Sequence, residues 1–109
     1  FAVELEAVGV GGTPAPPDRF TFALVGPSPG NGRVQFMLGQ PAAGAVNVQV
    51  FDVRGAHVRT LLRGTLAAGR QPIAWDGRRD EGGLASPGVY LVHANRAGET
   101  RTLRVVLVR

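Results

Sequence analysis

From Phe20 onward no hydrophobic period lasts long enough to make a helix. What repeats is alternation, broken about every ten residues by glycine or proline. In "AVNVQVFDV", Val46, Val48 and Val50 fall on one side and Asn47 and Gln49 on the other, as a strand with one face on a core requires. The same period places Val34, Phe36 and Leu38 together in "RVQFML". It also turns Val58, with Leu61 or Leu62, inward in "AHVRTLLRG". "FTFALVG", "RQPIAW" and the hairpin "GVYLVHANRAG"/"ETRTLRVVLV" complete a set of seven body strands. Sixteen glycines and eight prolines supply the turns between them.

With 109 residues the chain has material for one two-layer core and not for two. The fold expected is all-β, an immunoglobulin-like β-sandwich of about seven strands. Its core is expected to draw on Phe36, Val48, Val50, Trp75, Val89, Leu91 and Val105. No cysteine is present, so any such sandwich lacks the inter-sheet disulfide of antibody domains and offers no thiolate for catalysis or zinc.

The first ten residues, "FAVELEAVGV", form an extra extended strand, with Val3, Leu5 and Ala7 opposite Glu4 and Glu6. "GGTPAPPD" follows, a tether whose prolines cannot join a ladder. Residues 1–10 therefore read as a candidate donor strand, 11–18 as a Gly/Pro linker and 19–109 as the sandwich. The chain starts at Phe1 without a methionine, which leaves open both a processed secreted subunit and a piece of a longer protein.

All twelve basic residues are arginine, and the net charge is +4. The arginines are scattered and few aromatics lie between them, the opposite of a nucleic-acid surface, so strand edges and solvated faces are their expected places. No apolar run is long enough to cross a bilayer as a helix.

The chemistry-bearing residues fall mostly between 48 and 83. Asp52, just ahead of "RG", is suited to accept backbone N–H bonds and set the turn into the next strand. His57 and His93 lie on different strands, and Ser28 and Ser86 flank prolines in turns, so no nucleophile and base are brought together. In "WDGRRDEGG", Asp76, Asp80 and Glu81 could gather around calcium. Their spacing departs from the EF-hand pattern, and Arg78 and Arg79 oppose a cation. The framework reading puts the Trp75 indole in the core, Asp76 with Gly77 in one turn and Asp80 with Gly82 and Gly83 in the next. No catalytic residue, cofactor or metal is expected.

The order of "GPSPGNG", "VQVFDVRGAHVRTLL", "GTLAAGRQPIAWDGRRDEGG", "GVYLVHA" and a closing strand ending in "LVR" resembles the Ig-like domain of the flagellar hook-capping protein. It is similar also to the C-terminal sorting domains of secreted bacterial proteins that use type IX secretion. The resemblance covers residues 19–109. It departs at the early turn, where related domains often carry a Pro-Asn-Pro-Phe run and this chain has "PSPGNG". The resemblance implies a non-catalytic scaffold, assembly or sorting module. Two expectations follow. One is a secreted or cell-surface structural subunit whose partners are other copies of itself, joined into a filament by residues 1–10. The other is a C-terminal sorting or scaffold module of a larger secreted protein, recognised by secretion or cell-surface machinery.

Overall fold

The computed structural model describes residues 18–25 and 33–107. The strands are β1 (Thr21–Leu24), β2 (Val34–Gln40), β3 (Gly44–Asp52), β4 (His57–Leu66), β5 (Gly69–Trp75), β6 (Gly88–Arg96) and β7 (Glu99–Leu107). They make two antiparallel sheets, one of three strands in the order β1-β2-β5 and one of four in the order β4-β3-β6-β7. This is the expected Ig-like sandwich, and the alternation explains why. Each strand has one apolar face, and two such faces pressed together exclude water from both.

The three-stranded sheet contributes Phe22, Val34, Phe36, Leu38 and Trp75 to the core. The four-stranded sheet contributes Val46, Val48, Val50, Val58, Tyr90, Val92, Ala94, Val105 and Leu107. Phe22 stacks on Phe36 with ring centroids 5.2 Å apart, and Trp75 meets Tyr90 edge-on, also at 5.2 Å. Trp75 is fully buried and crosses from one sheet to the other, the role its place at the end of a strand demands.

Two core expectations are corrected. Val89 and Leu91 are only partly buried and point away from the interior, which is filled instead by Tyr90, Val92 and Ala94. The reason is register. Arg96 faces Glu99 across the Ala97–Gly98 loop, and counting back from there sets Tyr90 opposite Val105 and Val92 opposite Leu103. Because Val105 faces the core, Tyr90 must as well. In β4 the choice between Leu61 and Leu62 dissolves, since both pack part-buried against the core. The β3–β4 register slips between Val48 and Gln49 and again between Val50 and Phe51, and such bulges re-aim side chains on an edge strand.

The edges decide where anything could be added. The four-stranded sheet ends in β4 on one side and β7 on the other, the three-stranded sheet in β1 and β5. β1 lies against β7 and β5 against β4. The expected donor strand with Val3, Leu5 and Ala7, the 11–17 part of the tether and the "PSPGNG" turn lie outside the described residues.

Candidate functional site

Asp52 closes β3 with a tight turn. Its Oδ1 accepts the amides of Arg54 (2.9 Å) and Ala56 (3.0 Å), its own amide donates to the Ala56 carbonyl (3.0 Å), and Gly55 adopts φ +90°. The Arg54 guanidinium lies 3.3 Å from Oδ2. The Ala56 amide first, then the amide and guanidinium of Arg54, hold the carboxyl below its ordinary value, outweighing the opposing cost of desolvation. A left-handed residue is needed where only glycine is free of strain, so the Asp-x-x-Gly order dictates this turn.

The second cluster is built on the loop after β5. The Trp75 indole N–H donates to the Arg78 carbonyl (2.9 Å), and Asp76 Oδ1 accepts the Arg78 amide (3.1 Å), which folds the chain back on itself. Arg59 of β4 reaches in, its Nη1 3.2 Å from Asp76 Oδ1 and 3.4 Å from the Arg78 carbonyl. Asp80 then docks on the outer rim of β4. Its amide donates to the Val58 carbonyl (3.0 Å), its Oδ1 accepts the Thr60 amide (3.1 Å), and His57 Nδ1 stands 3.6 Å from Oδ2. Glu81 turns to Arg79, 3.3 Å away.

Asp76 and Asp80 both lie beside the Arg59 guanidinium, at 3.2 and 3.8 Å, while Glu81 faces Arg79. Among the described residues no group of three or more His, Cys, Asp or Glu side chains is placed to hold a metal ion. His57 and His93 are brought nearer than the sequence suggested, but with the Phe51 ring between them. Its centroid is 5.6 Å from His57 and 5.0 Å from His93. His57 Nε2 pairs with Thr60 Oγ1 at 3.0 Å. His57 thus stands between the Thr60 hydroxyl and the Asp80 carboxylate on an outer face of β4.

A third cluster escaped the sequence reading. Gln40, fully buried at the end of β2, donates to the carbonyls of Leu66 (2.9 Å) and Ala67 (3.2 Å) and accepts from Arg96 Nε (2.9 Å). Arg96 in turn reaches the Ala42 carbonyl (3.2 Å), beside Gly44. Gln40 belongs to one sheet and its partners to the end of the other, so the group ties the sandwich shut. The only local signal was a glutamine next to "PAAG", which names no partner.

These contacts give the two edges of the four-stranded sheet opposite characters. β4 carries two bulges and the Asp80 loop, and Gln40 caps its far end. β7 runs nine residues without proline, glycine or a register shift. Arg101 covers its start, with its guanidinium 5.4 Å from the centroid of Phe20. Further along, Val106 is 46% exposed.

The FlgD Ig-like domain matches residues 21–99. FlgD from P. aeruginosa is similar at 28% identity, over 79% of this chain and 65% of that one, with a TM-score of 0.55. Dimeric latent PorU from Porphyromonas gingivalis shares the fold at 20% identity, over 82% of this chain and 9% of that one, with a TM-score of 0.61. This chain therefore spans somewhat under two thirds of the first structure and a small part of the second. No curated protein sequence matches. Seven strands in the observed order, a core closed by Trp75 and Tyr90, and a match across 21–99 lead to one conclusion: the chain belongs to the FlgD Ig-like domain family.

Proposed function

We propose that this domain is a non-catalytic structural subunit of an extracellular or cell-surface assembly, joined to its neighbour by addition of residues 1–10 as a strand. The observation that carries this reading is how the polar groups are used. Asp52, Asp76 and Asp80 spend their carboxylates on turns and on the β4 rim, which leaves surfaces and sheet edges as the parts available to a partner. Strand addition suits such a domain because main-chain hydrogen bonds supply affinity while alternate side chains supply register. A head-to-tail contact of this kind need not close on itself, and then it builds a filament. The partners are other copies of the chain, and the place of action is outside the cytoplasm.

A second reading has its own support. In both similar structures the matched part is less than the whole, 65% of FlgD and 9% of PorU. A C-terminal sorting or scaffold module of a larger secreted protein, handled by secretion or cell-surface machinery, would look the same in isolation. Deleting residues 1–10 separates the two. Under the first reading the shortened chain sediments as a folded monomer while the full chain associates. If both associate alike, the strand has no part in assembly and the module reading takes over.

A further inference from the structure

We infer that the acceptor for the added strand is the outer edge of β7, over Thr102–Leu107, and that its occupant is Val3–Val8 of a second copy. The inference rests on the strand-addition reading above and names the surface that reading leaves unnamed.

The hairpin fixes which backbone groups are available. Ala97 (φ 51°) and Gly98 (φ 85°) form a two-residue loop with positive φ at both positions, closed by Arg96 opposite Glu99. In an antiparallel pair closed this way, the closing residues exchange both hydrogen bonds and every second pair repeats the pattern. Glu99, Arg101, Leu103, Val105 and Leu107 therefore direct their amides and carbonyls to β6. Thr100, Thr102, Arg104 and Val106 direct theirs away from the sheet.

Thr100 is already occupied. Its carbonyl accepts from Arg101 Nη1 (3.3 Å) and its hydroxyl from Asn95 Nδ2 (2.8 Å). From Thr102 on, no hydrogen bond among the described residues reaches the outward backbone groups. The other edges offer less. β4 is bulged and covered by Asp80, β1 has four residues, and β5 carries Pro72, which has no N–H to give.

The window matches the proposed occupant in length, polarity and charge. Six residues of strand, 102 to 107, face six, 3 to 8, antiparallel and with Val105 opposite Leu5. On the core side of β7 lie Leu103, partly buried, Val105 and Leu107, beside which Ala7, Leu5 and Val3 would extend the apolar layer. On the outer side Arg104 would stand beside Glu6, with Val106 opposite Glu4 and Thr102 opposite Val8. A shift of one residue would press both glutamates against the core, so the pairing has one favoured register.

The test uses the full chain and its assembly, followed by sedimentation velocity over a range of concentrations. Proline at an outward position removes no β6–β7 hydrogen bond, so Thr102→Pro should keep the β-rich circular dichroism spectrum while weakening association about tenfold or more. Arg104→Glu should weaken it about fivefold, and Glu6→Arg in the same chain should restore it. Amide exchange supplies a readout that does not depend on variants. Thr102, Arg104 and Val106 should become protected as concentration rises and association proceeds. If Glu4→Pro abolishes association while Thr102→Pro leaves it intact, or if the three amides exchange freely in the assembled chain, the acceptor is another edge and strand addition itself stands. Protection that is equally strong at all concentrations would mean the strand binds its own domain and would overturn the second-copy assignment. A full chain that stays monomeric with unprotected β7 amides, or that associates regardless of Glu4→Pro, would remove strand addition and this inference with it.

Discussion

The two edges of the four-stranded sheet are made from similar residues and end in opposite states. β4 ("HVRTLLRGTL") and β7 ("ETRTLRVVL") both alternate arginine and threonine with aliphatic residues. Yet β4 is bulged twice and sealed by Asp80 and Gln40, while β7 is straight and regular. Edge protection here is not a property of the strand's own composition. It is supplied by a loop and a glutamine distant in sequence, which shows that one edge can be closed selectively and the other kept regular.

That comparison can be broken most forcefully at Trp75. Its ring fills the core and its N–H holds the loop that seals β4, so Trp75→Ala should cost about 3–5 kcal/mol in urea denaturation. A cost below about 1 kcal/mol would mean the loop and the core are independent. Gln40→Ala should come next, at about 2 kcal/mol, because it leaves two carbonyls and Arg96 without their buried partner.

Asp80→Ala should cost about 1 kcal/mol and free the Thr60 amide to exchange, opening the sealed edge without unfolding the sheet. Thr102→Ala on β7 should change stability by less than about 0.5 kcal/mol, and equal losses at the two positions would erase the contrast between the edges. The smallest expected effect concerns Asp52. Its carboxyl is held below its ordinary value, so the folded state gains from ionisation. That contribution is complete above the unfolded value of about 3.9 and disappears as pH falls through the folded one. Asp52→Asn should therefore flatten the acid limb of the stability–pH curve and leave its neutral region nearly level.

Much of the fold was legible because alternation reports the inward face directly. Val46, Val48 and Val50 are buried as their spacing requires, and Val34, Phe36 and Leu38 likewise. β6 was misread because "VYLV" is apolar at every position, and such a run carries no phase of its own. The phase was nonetheless present in the neighbouring strand. A two-residue loop at Ala97–Gly98 sets Val105 against Tyr90, and a hairpin counted from its loop would have placed Tyr90 inside. At the corner, composition suggested turns at Asp76 and Asp80. What no local pattern could convey is that both carboxylates reach across to Arg59 and Thr60 on β4, since those partners lie 17 and 20 residues away. Gln40 and Arg96, 56 residues apart, were invisible for the same reason.

The Gln40 clasp also bears on how long the folded chain lasts. Its bonds join the end of β2 to residues 26, 27 and 56 positions away, so they cannot close until both sheets have formed and met. Contacts of that kind are expected to be absent from the folding transition state. Removing them should leave the refolding rate nearly unchanged and express the whole loss in faster unfolding, visible as movement of one arm of a chevron plot. Wherever an opened chain is cut before it can close again, the unfolding rate is what sets its lifetime. A single buried glutamine would then act as a timer.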